Sequence, residues 1–154
     1  MSFEPMPFLA LDGATARLFI SARSSQSTLR AEQPYIFRLS RLGIEATRVT
    51  HFFCSHLHYD HMGDYPRLLL TRWDQGAGRI TELKVYGPPP IGRVTAALFE
   101  REGAFGPDLI ARTENLCSVA IYWARGGEGE RKKPDPEVSE LKPNDVVQGN
   151  GWSV

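Results

Sequence analysis

Residues 49–64 read VTHFFCSHLHYDHMGD, and this stretch decides how the chain folds. Its first six residues, Val49 to Cys54, are mostly β-branched or aromatic, which predicts a short buried strand. All four histidines of the chain lie within that strand or directly after it. We therefore expect the histidine-rich segment to form the loop at the strand's C-terminal end.

The spacing of the polar residues in this loop predicts a metal site. His56 and His58 are two residues apart, so on an extended segment both rings project to the same side. Asp60 and His61 follow where the chain must turn, and Gly63 is expected to let the backbone bend before the next helix. Zinc accepts imidazole and carboxylate ligands, iron accepts imidazole, and manganese accepts carboxylate. The alternative is a polar surface loop that happens to be rich in histidine.

Two residues near the loop are expected to be structural. His51 lies inside the strand at odd spacing from His56, which favours a core histidine with a backbone partner. Cys54 is expected to be packed. The chain has only two cysteines, Cys54 and Cys117, far apart and outside any CxxC pattern. We therefore expect both thiols to be free and the protein to be located in the reducing cytoplasm.

Length and composition predict one globular domain. A chain of 154 residues with 42% hydrophobic and 23% charged residues can bury a core. Eighteen basic residues balance eighteen acidic ones, so the net charge indicates neither a nucleic-acid nor a membrane partner. No apolar run approaches the roughly 20 residues that a membrane span requires.

The rest of the chain alternates between helix and strand patterns, which indicates the α/β class. Helices are predicted from Pro34 to Gly43, Tyr65 to Trp73 and Ile91 to Glu102; strands are predicted at 15–20, 83–86 and 116–123, with two short strands near the end. Residues 126–136 are rich in glycine, proline and charge, which predicts a flexible, solvated connection. Its basic residues, Arg131 to Lys133, could alternatively form an arm that contacts RNA.

The loop also carries a family resemblance. Ser55 to Asp64 resembles the HxHxDH signature of hydrolases with the metallo-β-lactamase fold, in the ribonuclease Z-like branch. Leu39 to Gly43, Asp64 to Leu70 and Leu83 to Pro89 add to the likeness, which covers roughly residues 28–154. The resemblance implies a four-layer αββα sandwich with a two-metal site along one edge of the sheets.

The resemblance also implies roles for individual residues. His56 and His58 would bind a first zinc ion, and Asp60 and His61 a second, with Asp60 also transferring a proton as the catalytic residue. Water activated by the metals would attack a phosphodiester or another ester, so that RNA or a small-molecule ester would be the substrate.

One departure from the family pattern bears on activity. The family completes its site with two more histidines and a bridging aspartate from the C-terminal half of the fold, and this chain has no histidine after His61. A Gly-x-Gly start is also not recognisable, and Asp12-Gly13 is a weak stand-in for the expected Asp-x-Gly segment. Residues 1–154 are therefore expected to form a single incomplete domain, the N-terminal part of a larger enzyme.

Two further hypotheses follow from this departure. One is a degenerate or truncated, non-catalytic module that retains the loop; the other is a mononuclear site formed by His56, His58 and either Asp60 or His61. Half of a two-sheet sandwich would also expose an apolar face and a sheet edge. We therefore expect self-association, or a partner that completes the fold.

Overall fold

The predicted strand that precedes the histidine loop is strand β2, His51–Phe53, and all three of its residues are buried. A computed structural model describes residues 8–10, 35–149 and 152–154 of the chain. In this model β2 pairs antiparallel with β1 (Phe8–Ala10) and parallel with β3 (Lys84–Gly87). Strand β4 (Glu137–Glu140) continues the sheet parallel to β3, in the order β1-β2-β3-β4.

Six α-helices are present in the part of the chain that the structure describes, together with a 3₁₀ turn at Ala46–Arg48. The helices are α1 (Tyr35–Arg41), α2 (Tyr59–Met62), α3 (Asp64–Gly76), α4 (Ile91–Phe99), α5 (Gly106–Glu114) and α6 (Leu116–Ala124). The three predicted helices correspond to α1, α3 and α4 and are confirmed. A hairpin of β5 (Gln148–Gly149) and β6 (Trp152–Ser153) ends the described chain. The strand predicted at residues 15–20, like Asp12-Gly13, lies outside the described residues.

The strand predicted at residues 116–123 is wrong, because these residues form helix α6. Asn115 caps the helix, with its side-chain oxygen accepting a hydrogen bond from the Cys117 amide at 2.9 Å. The segment also contains only two β-branched residues, Val119 and Ile121. A short, mostly apolar run has no period that separates a strand from a helix, so the cap was the more informative signal.

The main core lies between one face of the sheet and helices α1, α3, α4 and α5. Phe52 of β2 and Val85 of β3 are fully buried there, and the Phe52 ring stacks on Tyr65 of α3 with 5.1 Å between centroids. The Tyr65 hydroxyl is hydrogen-bonded to Thr95 at 2.9 Å, and burial raises the pKa of Tyr65 to about 12. These contacts hold α3 and α4 against the sheet, and so fix the position of the histidine loop between β2 and α3.

The opposite face of the sheet contacts the β5–β6 hairpin. Trp152 packs edge-on against Phe53 and His51, with ring centroids 5.7 and 4.9 Å apart. Phe53 and Trp152 form a second, smaller core with Tyr86 and Val147. Helices on one face and a second sheet on the other make the mixed α/β arrangement that the sequence predicted.

Residues 126–136 form neither helix nor strand, but the interpretation of a solvated connection is wrong for Arg131. This residue is buried, its guanidinium lies 2.6 Å from Asp74 of α3, and it stacks 4.3 Å from the Trp73 ring centroid. Pro134 is fully buried as well.

Two predictions about the chain's organisation remain. One is that the rest of segment 126–136 is flexible, and the other is that residues 1–154 form a single incomplete domain. None of the described helices combines the length and apolar composition needed to cross a bilayer.

Candidate metal centre

The histidine loop, Ser55 to Gly63, begins at the C-terminal end of β2 and is attached to the main core by its own apolar side chains. Leu57 and Met62 pack against the main core from within the loop. The thiol of buried Cys54 donates a hydrogen bond to the His56 carbonyl at 2.8 Å and contacts the Met62 sulfur at 3.2 Å. Apolar side chains thus hold the loop backbone while the polar ones project away from the core.

Three of the four predicted ligands are brought close to one another by this anchoring. The ring centroids of His56 and His58 are 4.6 Å apart and nearly perpendicular, at 89°. His56 and His61 are closer, at 4.0 Å with an angle of 52°. The Nε2 atom of His61 lies 3.6 Å from the Asp60 carboxylate. The four residues therefore form one cluster, with His56 at its centre.

The cluster is not arranged as a finished coordination sphere. Within the described residues, no group of three His, Cys, Asp or Glu side chains is positioned to hold one ion. Two imidazole nitrogens on a tetrahedral zinc ion would be about 3.3 Å apart, given zinc–nitrogen distances of about 2.0–2.1 Å. The ring centroids are 4.0 and 4.6 Å apart, so the three imidazoles are close enough for side-chain rotation to turn their nitrogens toward a bound ion. The donor chemistry and the proximity fit a zinc-type ion.

Sequence reasoning missed Ser55 as a member of the site. Its hydroxyl is 2.9 Å from the Nδ1 atom of His56. Metal-binding histidines usually hydrogen-bond through the second ring nitrogen, which fixes the tautomer and the ring orientation. A serine or threonine directly before the first histidine is the local signal that could have revealed this role.

The outer part of the loop is open to solvent. Helix α2 carries Asp60 and His61 in a single turn that begins after His58. Tyr59 is 90% exposed, and the side chains of His61 and Asp60 are 16% and 54% exposed. The bend expected at Gly63 does not need a glycine conformation, because its φ of −59° is ordinary helical backbone. Tyr59 and the Asp60 side chain are therefore accessible from solvent.

The residues expected to be structural are confirmed as buried. His51 is 4% exposed, and its Nδ1 atom is 2.8 Å from the Thr50 hydroxyl. Cys54 is 5% exposed, and burial raises the pKa of its thiol to about 11. Cys54 and Cys117 are both free thiols, as predicted. A neutral, buried thiol is a poor metal ligand, which agrees with the packing interpretation of Cys54.

Similarity to known proteins agrees with this geometry. The ribonuclease Z of Mycobacterium sp. (strain KMS) is 33% identical over 47% of this chain and 24% of its own length. The ribonuclease Z of Macrococcus caseolyticus (strain JCSC5402) is 33% identical over 49% of this chain and 29% of its own length. The chain thus spans about a quarter of the length of these relatives. The profile of the metallo-beta-lactamase superfamily matches residues 13–150. The chain therefore belongs to the metallo-beta-lactamase superfamily, as the histidine loop predicted.

Proposed function

We propose that this chain carries the zinc-binding loop of a hydrolase that cleaves a phosphodiester or another ester. The observation that carries the proposal is the clustering of His56, His58 and His61 at the C-terminal end of β2. In open α/β sheets, ligands bind at the carboxyl ends of the strands, where loops meet. Membership of a superfamily of metal-dependent hydrolases supports the same conclusion.

We assign the metal ligands as the loop suggests. His56 and His58 would hold one zinc ion, and Asp60 and His61 a second; manganese or iron could replace zinc with the same donors. Metal binding through Nε2 of His56 requires its Nδ1–H to donate to the Ser55 hydroxyl, and the 2.9 Å separation of Nδ1 and that hydroxyl fits this tautomer. A bound ion would lower the pKa of a coordinated water and polarise the scissile ester.

Residues of the chain itself would then transfer a proton and position the substrate. Asp60 is partly exposed beside His61, at 3.6 Å, where its carboxylate can accept a proton from the attacking water. Tyr59 projects into solvent next to the ligands and can contact bound substrate. Cys54 and Met62 act only as supports, because their contacts hold the loop backbone.

The substrate class rests on the relatives. Proteins that share this part of the chain are ribonuclease Z enzymes, which supports RNA as the substrate; a small-molecule ester is the alternative. The openness of the loop favours a large substrate, since Tyr59 and the Asp60 side chain are exposed. Free cysteines support a cytoplasmic location.

A second candidate is a non-catalytic module that binds metal without turnover. A catalytic zinc normally has three protein ligands and one water. Two ligands per ion come from the loop, and the sequence contains no histidine after His61. A mononuclear site, in which His56 and His58 are joined by Asp60 or His61, is the intermediate case.

Bound zinc and turnover on one preparation separate these candidates. The purified chain is analysed by metal mass spectrometry and assayed for hydrolysis of bis(p-nitrophenyl) phosphate. We expect about two zinc ions and slow turnover, both lost in His56→Ala and both retained in Leu42→Ala, a control at an exposed residue outside the loop. Tightly held zinc without turnover would establish the module. Metal content near one would establish the mononuclear site, and no bound zinc would overturn the proposal.

A further inference from the structure

Met62 connects the histidine loop to the main core through a sulfur contact. It is the last residue of helix α2 and follows the candidate ligand His61 directly. Its side chain packs against the main core, and its sulfur lies 3.2 Å from the Sγ atom of Cys54. Cys54 in turn contacts the His56 carbonyl at 2.8 Å. Met62 and Cys54 therefore support the two histidines whose rings approach most closely.

The Met62 side chain is the more accessible of the two sulfur-containing side chains at this contact. It is only partly buried, and Tyr59 and Gly63 on the same turn are exposed. Cys54 is 5% exposed, and burial raises the pKa of its thiol to about 11. Because peroxides react with the thiolate, this thiol is protected, whereas oxidation of a thioether requires no deprotonation. A small oxidant therefore reacts at Met62.

We propose that Met62 is a peroxide-sensitive modification site, and that its oxidation to the sulfoxide detaches the histidine loop from the core and weakens metal binding. The thioether sulfur attacks one oxygen of hydrogen peroxide, and the O–O bond breaks as the S–O bond forms. The sulfur is oxidised by two electrons. The proton of the transferred oxygen passes to the leaving hydroxide, so that the peroxide is reduced to water. This regulation rests on the proposed function, since it acts on the zinc-binding loop.

Oxidation changes what the Met62 side chain can pack against. A sulfoxide is polar, and burying a polar group without a hydrogen-bond partner costs free energy. The Cys54 thiol, which lies against the sulfur, is only a weak donor. The oxidised side chain therefore turns toward water, and α2 loses its contact with the core. Leu57 still packs on the core, so the loop loosens without the sheet unfolding.

Peroxide treatment followed by mass spectrometry tests the modification itself. Trypsin releases residues 49–67, in which Met62 is the one methionine, so fragment ions locate an added oxygen. Dithiothreitol reverses a sulfenic acid or disulfide at Cys54 but leaves a sulfoxide, which methionine sulfoxide reductases A and B remove. We expect an added oxygen on Met62 that survives dithiothreitol and is removed by the reductases. Oxygen on Cys54 with unmodified Met62 would overturn the proposal.

Zinc titration before and after oxidation tests the consequence. Wild-type protein should lose at least about tenfold in zinc affinity, the range expected when a group that supports a ligand is changed, and the reductases should restore it. Met62→Leu has a similar volume and cannot be oxidised at this position, so it should keep its own affinity after the same treatment. Met1 and Met6 remain in this variant and control for oxidation elsewhere. Equal losses in both proteins would overturn the proposal, as would unchanged affinity in protein oxidised at Met62.

A measurement on the metal-free chain separates this inference from the proposed function. Oxidation should shift the imidazole NMR signals of His56 and His61, leave those of His51 in place, and lower the melting temperature by about 2–4 °C. Met62→Leu should show none of these changes. If untreated protein binds no zinc, the proposed function fails, and the imidazole signals still decide whether oxidation detaches the loop. Unshifted signals in protein oxidised at Met62 would overturn the inference.

Discussion

Strand β2 and the loop that follows it place histidines in opposite environments. His51 is 4% exposed and contacts three aromatic rings, whereas His58, seven residues later, is on the exposed side of the loop. The backbone changes from a paired strand to an unpaired loop between them, so side chains that point into packed layers give way to side chains that point outward. Both residues are histidines, so their place relative to the strand end, and not their type, makes His58 the candidate ligand and His51 a core residue.

The difference also shows how an exposed site can be precise. The outer part of the loop forms one helical turn, α2, and Cys54, Leu57 and Met62 attach the loop to the core on its inner side. The ligands are thus held by apolar neighbours in the sequence. Substitutions in the core should therefore weaken zinc binding by the loop, whereas substitutions of the candidate ligands should leave the free energy of unfolding nearly unchanged.

The largest effect is expected where the core itself is broken. Phe52→Ala should lower the free energy of unfolding by about 3–5 kcal/mol, because a fully buried ring stacked on Tyr65 is lost. Urea denaturation measures this change, and zinc binding should weaken with it. Phe37→Ala, at a residue 52% exposed, is the control and should cost about 1 kcal/mol or less. Equal losses in both variants would mean that β2 is not the core strand.

A pair of histidine variants separates the two environments directly. His58→Ala should weaken zinc binding by about 100-fold and leave the free energy of unfolding of the metal-free chain within about 0.5 kcal/mol. His51→Ala should do the reverse, lowering that free energy by about 1–2 kcal/mol with near-normal zinc binding. Zinc titration and urea denaturation of each variant measure both quantities. Loss of zinc binding in a well-folded His51→Ala protein would make His51 a ligand.

Asp74 pairs with Arg112, Arg125 and Arg131 away from the histidine loop. A substitution there tests whether the free energy of unfolding can change while zinc binding stays the same. Asp74→Asn should lower the free energy of unfolding by about 2 kcal/mol, because buried Arg131 loses its carboxylate. Hydrogen bonds from Arg131 and Arg125 hold the pKa of Asp74 below its ordinary value of 3.8, despite the opposing effect of burial.

The lowered pKa of Asp74 sets the pH dependence of this contribution. Since the folded pKa is below the unfolded one, the stabilisation is fully present above pH 3.8 and is lost as the pH falls through the folded value. The stability difference between wild type and Asp74→Asn should therefore be constant from pH 7 to about 5 and shrink below pH 4. Urea denaturation at each pH measures it, and a difference that grows on acidification would contradict the assigned ion pairs.

The smallest effect concerns the orientation of one ligand. Ser55→Ala should weaken zinc binding about tenfold, because the His56 ring loses its hydrogen bond at Nδ1. Ser55→Thr keeps the hydroxyl and should restore binding. Unchanged affinity in Ser55→Ala would show that the contact does not orient the metal-bound ring.

Much of the fold was predictable because its signals are local. The β-branched and aromatic run around Phe52 indicated a buried strand, and helical spacing indicated α1, α3 and α4. Helix α6 was mispredicted because a mostly apolar run of eight residues, 116–123, fits either element, and its apolar side faces solvent. Arg131 was taken as solvated because nothing in its own segment announces Asp74, 57 residues earlier in the chain.

The sequence by itself predicted the metal loop and identified the family, since the candidate ligand types and their spacing lie within six consecutive residues, His56 to His61. Only the tertiary structure decided how the His56, His58 and His61 rings approach one another, that Ser55 engages His56, and that α6 turns its apolar face outward. Those features depend on the anchoring of Cys54 and Met62 and on the contacts of Tyr122 and Arg131. For the three rings and for α6, packing against other parts of the chain sets side-chain direction, and no local pattern encodes it.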